Sequence, residues 1–357
     1  MKKNLKVMLT GAGSPGAPGV IKSLRSASET NIEIIGVDAS VNAIGASLSD
    51  YFYTIPKAAD DNFISEILNI CKSEKIDVIL PLVTKELLKL SIKKQRFLDI
   101  GTIVSVSDYS NLVVANNKGK LLQMLEKKGI SIPKYEIAGT AETLKKAIYQ
   151  LGYPEQPVCF KPTVSNGSRG FRILDPNINR VQMLFNEKPN STYIIMNDLI
   201  SILEHANEIP EIIVMEYLPG KEYSVDVLAD NGKVITAIPR LREATVSGIT
   251  TRGVVVKESD VIEYASKVVF ELGLHGNIGV QIRRNINNEP NILEINPRIQ
   301  GTIVHCLGAG VNLPYLAIKL GLGMPIEPHE LVINWGTRMS RYWEEIYYDP
   351  NGSPYSL

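Results

Sequence analysis

The sequence predicts a mixed α/β and α+β protein, in which a parallel α/β unit precedes a unit built mainly of antiparallel strands. The first hundred residues alternate apolar strands with helical segments, which is typical of a parallel sheet with right-handed crossovers. From Ile212 onward β-rich segments follow one another directly, and Asn231-Gly232 between two of them indicates a hairpin. A chain of 357 residues is long enough for two or three packed units.

The apolar spacing predicts each element in turn. In the N-terminal part it predicts strands at Leu5–Thr10, Ile32–Val37 and Asp77–Leu82. It predicts helices at Asn62–Ser73 and Lys85–Leu98, and another that ends near Ser26. In the middle part it predicts a helical stretch from Ser107 to Lys128, a helix at Ala141–Gln150 and an ambiguous, mostly helical segment at Ser191–Glu208. It predicts strands at Val158–Pro162 and Phe171–Leu174. The remaining predicted strands are Ile212–Tyr217, Tyr223–Ala229, Val234–Pro239, Gly279–Ile286 and Ile292–Ile295. The remaining predicted helices are Ser259–Leu272 and a last one from Pro314 to about Gly321.

The composition excludes several classes of protein. Hydrophobic residues make up 44% of the chain, charged residues 21%, and the formal net charge is zero, so we expect neither a nucleic-acid nor a membrane partner. The three cysteines are far apart and form no CxxC pair, which favours a reducing, cytoplasmic location over a disulfide framework or a zinc site. The short apolar run before Gly11 predicts a first strand and not a signal peptide.

A glycine-rich loop, Gly11–Gly16, matches GxGxxG between a predicted strand and a predicted helix, and Asp38 ends the second strand. This arrangement is typical of dinucleotide binding and makes an NAD(P)-dependent oxidoreductase the alternative function. Pro15 and Pro18, however, remove two of the amide donors that such a loop would offer. A glycine turn needed only for close packing of strand and helix is the simpler interpretation.

Two lysines are candidates for binding nucleotide phosphates. Lys118 opens a predicted helix, although a lysine there is by itself more often a solvated surface charge. Lys161 ends an apolar strand beside the loop Ser165–Gly170, which is rich in glycine and small hydroxyl side chains. A lysine supplies a point charge, and loop amides and hydroxyls can close over phosphate oxygens.

The segment from Met215 to Glu222 runs from an apolar strand into a turn. Backbone groups in such a turn can contact the edge of an adenine, with Glu216 accepting from its amine and Glu222 from ribose hydroxyls. An ordinary strand–turn–strand with exposed acids is the competing interpretation.

A set of oxygen-bearing side chains on two neighbouring predicted strands indicates a magnesium site. Glu294 and Asn296 have strand spacing and point to one face, and Gln281 joins them if the strands pair around Asn287–Asn291. Mg²⁺ prefers such hard oxygen donors together with water and substrate phosphates. Arg298 follows directly and can stabilise charge on a transferring phosphoryl group. A buried polar network that serves stability alone is the alternative.

In this order the segments resemble the ATP-grasp superfamily, specifically its carbamoyl-phosphate-synthase-like branch. The resemblance covers roughly Ser107 to Gly323 and is carried by NNKGKLLQMLEKKGISIPKY, FKPTVSNGSRGFRIL, IVMEYLPGKEYSVDVL, GVQIRRN and LEINPRIQGTIVHCLGAGVNLPYLAIKLGLG. It implies an ATP-grasp fold with a Rossmann-like pre-ATP-grasp domain at 1–106 and an ATP-grasp domain at 107–330. The latter would hold a lid subdomain at about 130–211 and an antiparallel catalytic subdomain at 212–330, followed by a packed C-terminal extension at 331–357.

The resemblance also implies a role for each candidate residue. Catalytic roles would fall to Arg298, Arg252 and Lys161, and the metal ions would be held by Gln281, Glu294 and Asn296. ATP would be bound by Lys118, Lys161, Ser165, Gly167, Ser168, Gly170, Glu216, Tyr217, Leu218 and Glu222. The stretch from Arg240 to Gly253 resembles the family's basic substrate-side loop.

The function implied is that of an ADP-forming carboxylate–amine ligase that uses ATP and Mg²⁺, with Mn²⁺ as a possible substitute. A carboxylate would become an acyl phosphate, with Mg-ATP bound between the lid and the C-terminal sheet, and an amine would then displace phosphate. The expected partners are a small-molecule carboxylate and an amine, with a homodimer possible. The synthase large subunit carries two ATP-grasp units and this chain one, so we expect no synthesis of carbamoyl phosphate. A non-catalytic nucleotide-binding module is the third interpretation.

Overall fold

The computed structural model describes residues 3–165, 167, 169–188 and 191–355. The chain forms two compact units, each built from separate stretches. The first unit comprises Met1–Ala115, Glu222–Ile282 and Glu294–Leu357, and the second comprises Asn116–Lys221 and Arg283–Leu293. The domain boundaries inferred from the sequence stay a prediction.

The N-terminal part of the first unit is a five-stranded parallel sheet with strand order β3-β2-β1-β4-β5. Its elements are β1 Lys3–Thr10, α1 Ala17–Arg25, β2 Thr30–Asp38, α2 Gly45–Leu48, β3 Tyr51–Thr54, α3 Phe63–Glu74, β4 Val78–Pro81, α4 Thr84–Leu98, β5 Ile103–Val104 and α5 Tyr109–Ala115. Because the strands are parallel, Thr10, Asp38 and Pro81 end their strands at the same edge of the sheet.

The centre of this sheet is buried on both faces, which explains the uninterrupted apolar runs Val7–Leu9 in β1 and Val78–Leu80 in β4. Alternate residues of β1 enter two different cores: Val7 and Leu9 pack with one set of buried side chains, and Met8 packs with another. The first core also contains Leu228 and Ile238, which come from the C-terminal part of the same unit. The N-terminal and C-terminal parts of this unit therefore share one hydrophobic core.

The second unit contains a four-stranded antiparallel sheet with order β6-β9-β7-β8. Its elements are α6 Lys118–Lys127, β6 Tyr135–Ala138, α7 Ala141–Gln150, β7 Val158–Pro162, β8 Arg172–Leu174, α8 Arg180–Asn186, α9 Met196–Glu204 and β9 Ile212–Glu216. Helix α7 and helix α9 cover the sheet with Leu144, Ile148 and Leu199, all buried.

The C-terminal part of the chain builds a six-stranded sheet with order β14-β13-β10-β11-β12-β15. Its elements are β10 Glu222–Asp230, β11 Lys233–Val246, β12 Ile249–Val255, α10 Ser259–Glu271, β13 Gly276–Arg284, β14 Pro290–Asn296, α11 Val304–Gly308, α12 Leu313–Gly321, a 3₁₀ helix Pro328–Leu331, β15 Arg338–Ser340 and the small hairpin β16 Tyr347–Tyr348 and β17 Pro354–Tyr355. Strands β13 and β14 are neighbours, as their spacing around residues 287–291 predicts.

The structure confirms the predicted fold class: a parallel α/β sheet first, antiparallel sheets afterwards. Two local predictions are wrong. The helical stretch from Ser107 to Lys128 is two helices, although the second begins at Lys118 as predicted: Asn117 leaves the helical conformation and its side chain caps α6 by accepting from the Lys120 amide at 2.9 Å. The segment from Arg240 to Gly253 is not a loop but the end of β11, a turn at Ser247-Gly248 and β12.

Among the described residues, no helix combines the length and the apolar character needed to cross a membrane.

Candidate functional site

Lys118 lies at the start of α6 and its side chain is almost completely buried. Its ammonium group donates to the Ser165 carbonyl oxygen at 2.7 Å and reaches the Ser165 hydroxyl at 3.3 Å. The predicted helix-opening lysine and the predicted phosphate loop are therefore in contact within the second unit. An ammonium group held by neutral oxygens is positioned to exchange one of them for a more strongly accepting phosphate oxygen.

Lys161 lies on β7, where its ammonium group donates to the Leu293 carbonyl oxygen at 3.0 Å. The loop that follows turns sharply: Gly167 and Gly170 have φ of 61° and 75°, and a side chain at Gly170 would clash with the ring of Pro162. Gly167 is exposed, whereas Ser168 lies outside the described residues. The loop thus begins at one buried lysine, Lys161, and contacts the second, Lys118, through Ser165.

The predicted adenine residues follow β9, which pairs with β7 so that Glu216 stands opposite Val158. The Glu216 carboxylate accepts from the Lys134 amide at 2.8 Å and so ties this strand end to the residue before β6. Tyr217 is half-buried under Arg283, whose guanidinium carbon lies 5.2 Å from the ring centroid. Leu218 is buried. The chain therefore leaves β9 with the buried apolar side chain of Leu218 next to the half-buried ring of Tyr217.

In the first unit, one arginine joins two predicted site residues. Arg242 on β11 forms an ion pair with Glu222 and donates to the Gln281 amide oxygen at 3.3 Å. The same guanidinium is fixed by the Thr250 hydroxyl at 3.1 Å and the Gly248 carbonyl oxygen at 2.7 Å. Glu222 and Gln281 are thus brought together by a cation that lies between them.

Glu294 and Asn296 lie on β14, both half-buried, and Arg298 follows in the next turn. The Arg298 guanidinium is fixed at three points: the Thr84 hydroxyl at 3.2 Å, the Asn296 amide oxygen at 3.2 Å and the Ile299 carbonyl oxygen at 2.7 Å. Burial lowers the pKa of Arg298, and the negative charge of Glu294 acts in the opposite direction. Arginine stays protonated throughout the physiological range, so this is a positioned cation.

The two other basic residues of the predicted substrate-side segment have different surroundings. Arg252 on β12 is exposed, stands opposite Ala244 and Ser340, and makes no hydrogen bond or ion pair with any residue that the structure describes. Arg240 is fully buried and pairs with Asp226 at 2.5 Å. A substrate-side role for Arg240 is therefore wrong, because its charge is enclosed in the core of the sheet.

The glycine loop after β1 is explained by packing alone. A side chain at Gly16 would lie 2.7 Å from the Gly301 Cα atom, and one at Gly13 would lie 2.9 Å from the Asp38 carboxylate. That carboxylate accepts from the amides of Gly13 and Ser40 at 2.8 and 2.9 Å, so it serves the loop itself. These contacts give the oxidoreductase interpretation no support.

Comparison with known proteins finds family models that match two separate parts of the chain. The family model described as ATP-grasp in the biosynthetic pathway with Ter operon matches residues 208–341, and the one described as PylC-like, N-terminal domain, matches residues 7–105. Each model matches less than half of the chain, and what they show is a resemblance to the ATP-grasp superfamily. The carbamoyl phosphate synthase large chain of Clostridium beijerinckii is 24% identical to it over 324 residues, which are 86% of this chain and 27% of that relative. The chain thus spans about a quarter of the length of such curated relatives.

Solved structures of proteins with other activities share the ATP-grasp fold. The ADP complex of an N5-carboxyaminoimidazole ribonucleotide synthetase superposes with a TM-score of 0.67 at 19% identity, covering 93% of this chain and 80% of that chain. An L-amino acid ligase from Bacillus licheniformis superposes with a TM-score of 0.62 at 15% identity, covering 92% and 76%. At these identities the likeness concerns the fold.

The predicted oxygen donors of this chain fit a divalent cation only weakly by themselves. Glu294 contributes one carboxylate, whereas Asn296 and Gln281 contribute neutral amide oxygens. In the described ranges no group of three or more His, Cys, Asp or Glu side chains forms a metal site. Hard oxygen donors with one formal charge suit Mg²⁺ that arrives with the negative charge of phosphates.

The sequence analysis missed the residues that orient these donors. The Gln281 amide group is held between the Ser224 hydroxyl at 3.1 Å and the Gln300 amide oxygen at 3.2 Å, both on buried side chains. Gln300 belongs to the LEINPRIQG segment, so its position beside Asn296 and Arg298 was a usable signal. Ser224 has no such signal in the sequence, because nothing distinguishes this serine from any other serine on a strand.

Proposed function

We propose that this chain is an ADP-forming ATP-dependent ligase that converts a small-molecule carboxylate into an acyl phosphate and couples it to an amine. Lys118, Lys161 and the loop from Ser165 to Gly170 bind phosphate oxygens in this scheme. Glu216, Tyr217 and Leu218 contact adenine, and Glu222 contacts ribose. Gln281, Glu294 and Asn296 hold Mg²⁺, with Mn²⁺ as a substitute.

The protein's own contribution is positioning and charge neutralisation. The bound Mg²⁺ supplies neutralisation of charge on the nucleotide phosphates. Arg298 stabilises negative charge on the carboxylate oxygen that takes up the phosphoryl group, and Lys161 does so on the phosphate side. Arg252, which is exposed on β12, is proposed to contact the incoming carboxylate.

The observation that carries the proposal is the fixation of Arg298. Hydrogen bonds to Thr84, Asn296 and the Ile299 carbonyl hold the Arg298 guanidinium in one orientation. Arg298 also lies two residues beyond a proposed metal ligand, Asn296. Preorganised cations of this kind lower the barrier for transferring charged groups, because they need no reorganisation when charge develops. A homodimer and a cytoplasmic location stay predictions.

The test is carboxylate-dependent release of ADP. Wild-type protein is incubated with Mg-ATP and a panel of the twenty protein amino acids, acetate and succinate, with and without hydroxylamine to trap an acyl phosphate as a hydroxamate. We expect at least one acid to give ADP and hydroxamate in equal amounts. Glu294→Gln should lower both by roughly 10²–10³-fold, because it removes the single carboxylate of the proposed metal site.

Glu289→Gln is the matched control, since Glu289 is an exposed acid in the turn between β13 and β14. It should leave both products unchanged. ATP binding without turnover across the whole panel would favour a non-catalytic nucleotide-binding module. Absence of ATP binding in wild type would refute the ligase proposal.

A further inference from the structure

A buried glutamate lies at the carboxyl ends of the parallel strands in the first unit. The chain leaves β1 toward β2 on one side, and β4 lies on the other side, so β1 and β4 flank the point where the strand order reverses. In open parallel sheets, ligands bind in the crevice at this point. Thr10 ends β1, and Glu86 lies in the first turn of α4, directly after β4.

Glu86 is held from one side and open on the other. The Thr10 hydroxyl donates to Oε2 of Glu86 at 2.5 Å, and both side chains are at least nine-tenths buried. The second oxygen, Oε1, makes no hydrogen bond to any described residue, and protein does not enclose it fully. A buried carboxylate with an unused acceptor oxygen is costly unless a partner supplies a proton or a positive charge.

The charges around Glu86 favour a cationic ligand. The pKa of Glu86 is raised to about 7, mainly by burial and also by the nearby negative charge of Asp38, while the Thr10 hydrogen bond lowers it. No lysine, arginine or histidine among the described residues forms an ion pair with Glu86. A general base works best when its pKa lies near the working pH.

The same helical turn connects Glu86 to the proposed acyl-phosphate site. Thr84, two residues before Glu86 in α4, accepts from Nε of Arg298 at 3.2 Å. The arginine proposed to stabilise charge on the activated carboxylate and the open carboxyl group of Glu86 are therefore fixed by one turn of helix. Glu86 and Arg298 are thus both held at the carboxyl end of β4, at the start of α4.

We propose that Glu86 binds the protonated amino group of a primary amine substrate and removes the proton that this group must lose before it attacks the acyl phosphate. This inference rests on the proposed ligase function. The ammonium group gives one proton to the Glu86 carboxylate, and the freed nitrogen lone pair forms the C–N bond. The C–O bond to phosphate breaks, phosphate leaves with its electron pair and takes the second nitrogen proton, and Glu86 returns its own proton to solvent.

The experiment separates activation from coupling in Glu86→Gln. The amide keeps an oxygen that can accept from Thr10 but cannot take up a proton at neutral pH. Hydroxylamine is uncharged at neutral pH and needs no base, so hydroxamate formation should remain within about twofold of wild type. Coupling to L-lysine, glycine or methylamine should fall about 10²- to 10⁴-fold at pH 7, the usual contribution of a general base.

The pH profile distinguishes a base from a structural residue. As pH rises toward the pKa of the amine, about 10, the free amine becomes abundant and the deficit of Glu86→Gln should shrink. Glu66→Gln is the control, because Glu66 is an exposed acid in the first turn of α3. It should match wild type at every pH.

Two results would overturn the inference while leaving the ligase function intact. One is an equal loss of hydroxamate and of amide product in Glu86→Gln, which would indicate a structural role or a role in binding the carboxylate. The other is a deficit in coupling that does not change with pH. If wild type forms no hydroxamate with any acid, the ligase proposal fails, and the role of Glu86 fails with it.

Discussion

Glu86 also makes the stability of the first unit depend on pH in a direction that can be calculated. Its pKa rises from an ordinary value of 4.5 to about 7 on folding, mainly because burial disfavours the charged form. The folded state therefore binds this proton more tightly than the unfolded state. The resulting stability is fully present below pH 4.5 and is lost as pH rises to about 7.

The magnitude follows from the same shift. A difference of about 2.5 pKa units corresponds to about 3 kcal/mol at pH 8, at roughly 1.4 kcal/mol per unit. Glu86→Gln carries no ionisable group, so it should be more stable than wild type by up to about this amount at pH 8. The advantage should vanish at pH 4, where both side chains are neutral.

Urea unfolding at pH 4, 6 and 8 measures the effect. Tryptophan fluorescence is a suitable signal, because the chain has two tryptophans, Trp335 and Trp343, and both belong to the first unit. Thr10→Val should increase the loss of stability between pH 4 and pH 8, since the Thr10 hydroxyl favours the ionised form. A difference between wild type and Glu86→Gln that is the same at pH 4 and pH 8 would refute this reasoning.

Three further predictions concern packing, a buried charge and metal binding. Asp226→Ala should cost about 3–5 kcal/mol in urea unfolding because it leaves the Arg240 charge unpaired in the core, and adding Arg240→Met should restore much of the loss. Gly16→Ala should cost about 1–3 kcal/mol because its methyl group would meet Gly301, whereas Gly139→Ala, with open space around it, should cost less than 1 kcal/mol in the same assay. Calorimetry should detect Mg²⁺ binding in the presence of ADP and none at millimolar Mg²⁺ alone; tight binding without nucleotide would contradict the assigned ligands.

The elements that the sequence predicted best are those whose signals are local. Strand Val158–Pro162 and helix Ala141–Gln150 have the predicted bounds. In the helix, apolar spacing agrees with a capping box formed by Thr140 and Thr143. The stretch after Ser107 failed because helical spacing continues through Asn116-Asn117, where a side-chain cap starts a new helix.

The burial of Arg240 could not be predicted from the sequence, because it depends on a β-bulge that inserts one extra residue into the hairpin. A regular hairpin around Asn231-Gly232 would place Asp226 opposite Ala237. A bulge between Leu228 and Ala229 shifts the register, so that Asp226 stands opposite Ile238. Arg240 is two residues further along and therefore shares the face of Asp226. A pattern of residue types cannot locate such a bulge, and without it the arginine appears to face outward.

In the candidate site, too, local spacing could be read from the sequence, whereas contacts made by tertiary packing could not. Glu294 and Asn296 could be proposed from the sequence because strand spacing places them on one face, and Arg298 because it follows directly. The anchor of Arg298 on Thr84 spans 214 positions of the sequence, and only the packing of the N-terminal sheet on the C-terminal part of the first unit creates it. The contact that Arg242 makes with Gln281 likewise depends on the order of β11, β10 and β13 in the sheet.

Arg242 gives a physical reason for expecting metal and nucleotide to bind together. Its guanidinium neutralises Glu222 and already contacts the Gln281 oxygen that we assign to the metal. The same amide oxygen also accepts from the Ser224 hydroxyl, so its two lone pairs are in use and a cation would have to replace one of these two donors. Two cations on one oxygen also repel each other, and Glu294 alone offers little compensation. Phosphate oxygens of a nucleotide supply the missing negative charge, so the metal is retained only when they are present.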